Sequence, residues 1–278
     1  MKNISLLAVA TLLAGGVFFT ASCNKATVDS NTTTTSDNEL CESEFMRVLP
    51  MVNCKTLSKL TKSVDRIGGA TYPTYTATDT VTNGNGWPRT LVINYGPNPG
   101  VVDPIDGKKR YGIITVTFNN YWHDIGSTAT VTYTNYYVNN ISYSASFSMT
   151  RKSSSQFGLT IVNGVCKNTS ASAAWVIQFG ATRIFNWNSG LGDSVLSHSA
   201  YTVTGSGYGV DRNTVNFKST IDANGPMTLL CNCAYLITSG SVTITPAGLA
   251  TRTVNYGSGA CTNTATVTID GQNYSITK

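Results

Sequence analysis

Residues 112–150 read GIITVTFNNYWHDIGSTATVTYTNYYVNNISYSASFSMT. Three runs within them, 112–122, 128–138 and 141–150, are rich in Val, Ile, Thr, Tyr and Phe and alternate in polarity. Such residues fit a pleated, half-buried surface, and period two is the strand period. Asn139-Asn140 stands between the second and third runs. Asparagine tolerates the positive φ of a two-residue hairpin turn, so this stretch predicts strands joined as antiparallel neighbours.

The pattern extends in both directions from residue 70 to the end. TYTATDTVT, TLVINYG, FGLTIV, AAWVIQF, TRIFNW, AYTVTGSGYG, TVNFKSTI, CAYLITSGSVTIT, RTVNYG, TATVTI and YSIT all read as strands. Asn163-Gly164 and Asp270-Gly271 are further hairpin signals. The phrase Asn-Tyr-Gly occurs twice, at 94–96 and 255–257. Leu91, Ile93 and Tyr95 share one face in the first copy, and Val254 and Tyr256 share one in the second. Gly96 and Gly257 then lead into turns. No helix of ten or more residues separates these strands, which argues against parallel βαβ units. The expectation is an all-β domain over 70–278, a large antiparallel meander of about twelve to fourteen strands. Periodicity leaves open whether it forms a sandwich, a rolled half-barrel or a barrel.

Residues 38–69 predict a short N-terminal helical segment. Asp37-Asn38 can cap a helix through ELCESEFMRVL, with Phe45, Val48 and Leu49 on one side. Pro50 ends or bends it. CKTLSKLTKSVDRI, 54–67, places Leu57, Leu60 and Val64 on one face, and Gly68-Gly69 terminates that piece. All three glutamates, Glu39, Glu42 and Glu44, fall in this segment.

Upstream, Met1-Lys2 and a continuous apolar stretch suit a signal peptide over 1–22. It ends at Thr20-Ala21-Ser22-Cys23, which resembles a bacterial lipobox with Cys23 as the acylated first residue; Thr20 departs from the usual Leu-like residue. Residues 23–37 are polar, Thr-rich and free of aromatics, the composition of a flexible tether. The expected partner is therefore a lipid bilayer, reached through acylated Cys23. The expected location is the outer membrane, with the periplasmic or outer face left open.

Six cysteines remain: Cys41, Cys54, Cys166, Cys231, Cys233 and Cys261. An even number in an exported chain points to disulfides. Cys231 and Cys233 sit two apart, on one face of a strand. Cys41 and Cys54 would lie about 20 Å apart in an unbroken helix, too far for a bridge. Pro50 would break that helix and could bring them together. No C-x-x-C occurs and there are two histidines, so no metal or other cofactor is expected.

The net charge of +5 is spread thinly, and the basic clusters at 108–110 and 151–152 form no stripe of the kind nucleic acid requires. Beyond residue 66 there is no glutamate, and most of the eight aspartates neighbour Gly, Asn or Pro, where Asp forms turns. Asp79 and Asp193 are the exceptions. No G-x-S-x-G elbow accompanies His123 or His198. Residues 98–107 offer oxygen ligands but lack the spacing of a calcium loop. Catalytic residues are therefore not assigned. Trp87, Trp122, Trp175 and Trp187 are candidate stacking platforms for sugar rings, against the commoner role of aromatics in packing.

The stretch SGSVTITPAGLATRTVNYGSGACTNTATVTIDG, with INYG at 93–96, YGIITVTF at 111–118 and YTNYYVNN at 133–140, resembles uncharacterised lipoproteins of Bacteroidetes. The likeness covers most of the chain after residue 70. It implies a bridge between Cys233 and Cys261. Where the family often has Asp beside the second of these cysteines, this chain has Ser258 and Thr262. The resemblance implies an address and a fold but no activity. The functional expectation is a membrane-anchored envelope lipoprotein acting as a non-enzymatic binding or structural module. The alternatives are a surface glycan-binding protein using exposed Trp and Tyr, or a lipid-handling β protein; another envelope protein is a further potential partner.

Overall fold

A computed structural model describes residues 29–57, 74–79, 86–170, 174–193 and 195–278. The expected signal peptide, Cys23, residues 24–28 of the expected tether and the helical piece beyond Leu57 lie outside these residues. The rest of that stretch is no free tether: Asp29 pairs with Arg252, and residues 33–37 belong to the first helix. Two helices, α1 (Thr33–Met46) and α2 (Val48–Leu57), precede a single antiparallel sheet. Its strands are β1 (Thr74–Asp79), β2 (Arg89–Asn94), β3 (Val101–Val102), β4 (Lys109–Phe118), β5 (Thr128–Val138), β6 (Ile141–Arg151), β7 (Gln156–Asn168) and β8 (Trp175–Ser189). They continue as β9 (Ala200–Val210), β10 (Asn216–Ile221), β11 (Met227–Leu230), β12 (Ile237–Pro246), β13 (Arg252–Ser258), β14 (Thr264–Ile269) and β15 (Gln272–Thr277).

The spatial order follows the chain, with β3 paired on β4, and β11 between β9 and β12, as short side branches. The expected meander is therefore observed. Asn139-Asn140 (φ 47° and 69°) and Asp270-Gly271 (φ 48° and 78°) form the predicted two-residue hairpins. Asn163-Gly164 does not. Asn163 has the positive φ of a turn residue (52°), yet β7 runs through it as one 13-residue strand with a bulge against β8. AAWVIQF and TRIFNW are likewise one strand, β8.

Rolling of the sheet follows from what its inner face touches. Arg110 on β4 reaches Glu44, and Tyr256 on β13 reaches Glu39. Nine strands on the sheet path run from β4 to β13, so in a flat sheet they would lie about 38 Å apart, at about 4.8 Å per strand. Five residues of helix span about 7.5 Å. Both contacts exist only if the sheet curls around α1. The domain is a single rolled sheet, and β1 and β15 are not paired with each other.

The helical segment is thus the filling of the β domain, not a separate piece before it. From Thr34 to Cys54 every residue is buried except Ser36 and Leu40. The start also differs from expectation. Helix α1 begins at Thr33, and Asp37 and Asn38 lie inside it, buried, rather than capping it. The break falls at Arg47, with Pro50 in the first turn of α2. A proline ring clashes with the carbonyl four residues back, which here is Met46. Phe45 anchors the interior, with Tyr133, Tyr143, Phe147 and Phe179 around its ring at 5.4–6.2 Å.

Candidate functional site

The interior is held by charge as well as by apolar packing. Four carboxylates from residues 29–44 each meet an arginine from the sheet or its turns. The Arg183 guanidinium donates to Glu42 through Nε and Nη2, both at 2.6 Å. Arg110 Nη2 donates to Glu44 (2.9 Å) and, with Nη1, to Asp106 (2.8 Å each). Arg212 Nε donates to Asp37 (2.7 Å), and Arg252 Nη2 to Asp29 (2.6 Å). Arg110, Arg183 and Arg252 are fully buried. A buried charge left alone is very costly, so each buried partner requires the other, while the intact pair adds little net stability.

Two of the buried glutamates have acidities displaced in opposite directions. Burial raises the Glu44 carboxyl, but the Arg110 and Arg47 charges and hydrogen bonds from Arg110 and Tyr136 outweigh it, leaving it at about 2. Glu39 has no arginine. Burial lifts its carboxyl to about 7 against the pull of the Tyr256 hydroxyl, which donates at 2.7 Å. Glu39 Oε1, Thr35 Oγ1 and both polar atoms of Asn38 lack hydrogen-bond partners.

Both Asn-Tyr-Gly copies take one local form. Asn94 Oδ1 accepts from Gly96 N–H and Asn255 Oδ1 from Gly257 N–H, each at 2.8 Å. The intervening tyrosine turns inward in both, Tyr95 donating to Met51 Sδ and Tyr256 to Glu39. Gly257 itself stays within β13 rather than opening the turn.

Of the predicted stacking tryptophans, Trp122 and Trp187 are core residues. Trp122 packs on Phe118 and Phe157 and donates from Nε1 to Asn53 Oδ1 at 2.8 Å; Trp187 stacks on Tyr201 at 5.6 Å. Neither presents a ring to solvent. Trp87 and Trp175 are half-buried, and guanidinium groups lie over their rings, Arg89 at 4.8 Å and Arg212 at 4.5 Å. The four do not form one surface.

Cys233 and Cys261 form a disulfide, with Cα atoms 5.5 Å apart. Cys41, Cys54, Cys166 and Cys231 are buried. His198 Nδ1 lies 2.5 Å from Asp193 Oδ2 on an exposed loop, and that bond draws the Asp193 carboxyl below its ordinary value. Among the described residues no hydroxyl or thiol is hydrogen-bonded to that imidazole. His123 is elsewhere, its ring against the Thr56 carbonyl, with its pKa lowered by burial.

Among the described residues, one concave, solvent-facing site lies on the outside of the roll. A groove of about 620 Å³ is lined by Asn94, Gly96, Pro97, Asn98, Tyr111, Gly112, Ile113, Thr134, Asn135 and Tyr137. Tyr111 and Tyr137 face each other across β4 and β5, stacked at 4.5 Å with ring planes 13° apart. A bulge makes the recess. Gly112 (φ +94°) sits so close to β5 that a Cβ there would meet the Asn135 carbonyl oxygen at 2.0 Å. The bulge also breaks the alternation, so Tyr136 points into the core while Asn135 and Tyr137 stay outside. Burial and the neighbouring Tyr137 raise the Tyr111 phenol, which remains a neutral donor. No charged side chain lines the groove. It can offer flat aromatic faces, amide donors and acceptors, and phenol hydroxyls.

A second groove, about 440 Å³, lies at the Asn163-Gly164 bulge, with Gln178, Asn216 and the exposed Tyr208 on its walls. Comparison with known protein families, curated proteins and solved structures finds no match.

Proposed function

We propose that this chain is an envelope lipoprotein, anchored through Cys23, whose work is non-enzymatic binding at the outer groove, and that the ligand is a neutral carbohydrate. The observation that carries this reading is the Tyr111–Tyr137 stack beside Asn94, Asn98 and Asn135 in a recess without charge. Sugars present apolar C–H faces and many hydroxyls, which aromatic rings and amides satisfy together. A nucleotide, phospholipid head or acidic peptide would call for a cation at the site. The tyrosines replace the tryptophans as the stacking residues. A lipid-handling role needs an empty apolar hollow, and α1 and α2 occupy the space inside the roll. The lipobox-like run ending at Cys23 and the sequence resemblance support that address.

The test is a glycan array probed with the soluble chain lacking residues 1–23. Binding that falls on the order of tenfold, about 1.4 kcal/mol, in Tyr111→Ala and Tyr137→Ala supports the assignment. A flat array with the intact protein, or binding unchanged in both variants, would sink it.

A further inference from the structure

Cys41 and Cys166, far apart in the sequence, meet inside the roll. Their sulfurs are 2.7 Å apart, far inside the roughly 4.0–4.5 Å at which buried apolar heavy atoms touch. Both residues are fully buried, Cys41 on α1 and Cys166 on β7. Two separate thiols would not be driven that close, whereas a covalent bond needs the sulfurs closer still by only a small movement. The chain already carries one disulfide, Cys233–Cys261, so it reads as a protein matured under oxidising conditions.

We propose that Cys41 and Cys166 form a second disulfide that ties the internal helix to the sheet. The bond forms by exchange with a disulfide of a thiol oxidoreductase or a small disulfide. One cysteine thiolate attacks the donor disulfide and releases one donor thiolate. The other cysteine thiolate then attacks the mixed disulfide and releases the second. The Cys41–Cys166 bond forms, the donor disulfide takes up two electrons, and the two protons end on the donor thiols.

This exchange belongs to folding, before α1 is enclosed. Once docked, the pair is sealed from any donor, and burial together with the neighbouring Cys41 sulfur pushes the Cys166 thiol well above its ordinary value. A thiol in that state does not attack. The crosslink spans 125 residues, so it ties the second layer of the fold to the first across nearly half the chain.

The experiment is peptide mapping of the chain exported to an oxidising compartment, unfolded in an alkylating agent without reductant, and digested. The expected result is a linked peptide pair containing Cys41 and Cys166, lost on prior reduction, alongside the Cys233–Cys261 pair. Recovery of Cys41 and Cys166 as alkylated thiols while Cys233 and Cys261 remain linked overturns the proposal. So does a bridge from either cysteine to Cys54 or Cys231. The readout is independent of whether any cysteine variant folds, and independent of ligand binding at the outer groove.

Discussion

Replacing Glu39 with glutamine should change how stability depends on pH. Burial lifts the Glu39 carboxyl from 4.5 to about 7; the Tyr256 hydroxyl bond opposes this, Glu42 adds to it, and Lys278 and Lys108 oppose it. A carboxyl raised in the folded state holds its proton more tightly there than in the unfolded chain. Below about pH 4.5 both states are protonated and the group is neutral to stability. Between about pH 4.5 and 7 the unfolded chain releases a proton that the native chain keeps, so stability falls as pH rises. At about 1.36 kcal/mol per pH unit, the full loss is about 3 kcal/mol, complete near pH 8. Glutamine keeps the shape and cannot ionise. Glu39→Gln should therefore match the parent near pH 4.5 and exceed it by about 2–3 kcal/mol at pH 8. Urea denaturation followed by tryptophan fluorescence at the two pH values measures both differences. A gap that is the same at both, or a parent more stable at pH 8, refutes the reasoning.

Glu44 should show the opposite sign, because its folded pKa of about 2 lies below its unfolded value. Its contribution is present above about pH 4.5 and is lost as pH falls toward 2, so Glu44→Gln should flatten the acid limb of a stability–pH curve. Arg183→Ala leaves Glu42 buried and unpaired and should cost about 3–5 kcal/mol, while Arg183→Met with Glu42→Leu recovers most of it. A loss below about 1 kcal/mol in the single variant would contradict the role given to the pair. Cys233→Ser with Cys261→Ser opens a bridge with a sequence separation of 28. Loop entropy sets that loss at about 3–4 kcal/mol in denaturant unfolding.

The sheet was legible because alternation fixes which residues share a face, and Asn139-Asn140 and Asp270-Gly271 fix where strands reverse. What the inner face packs against was not legible. Arg183 and Arg252 sit on inward faces that are otherwise apolar, and only the carboxylates of residues 29–44 make sense of them. Confinement of every glutamate to residues 39–44 was the available hint. The threonines at 33–35 weigh against a helix by their stiff χ1, yet Thr34 Oγ1 donates to Asp211 Oδ2 at 2.5 Å and α1 starts there. Asn163-Gly164 misled because positive φ serves a bulge as well as a hairpin. The same device hid the groove. A strict period of two through TATVTYTNYYV groups Tyr133 with Tyr137, and the bulge at Gly112 and Asn135 instead sends Tyr136 inward and leaves Tyr137 outside. Tryptophan identity does not separate core from surface: Trp122 and Trp187 are in the core while Trp87 and Trp175 are half-buried.

Backbone amide chemical-shift mapping during titration with a neutral oligosaccharide selected on the array tests the central claim most directly. The account predicts shifts confined to residues 94–98, 111–113 and 134–137, with the amides of α1 unmoved. Shifts centred on α1 and the inner-face residues around Phe45, with the outer groove silent, would contradict it.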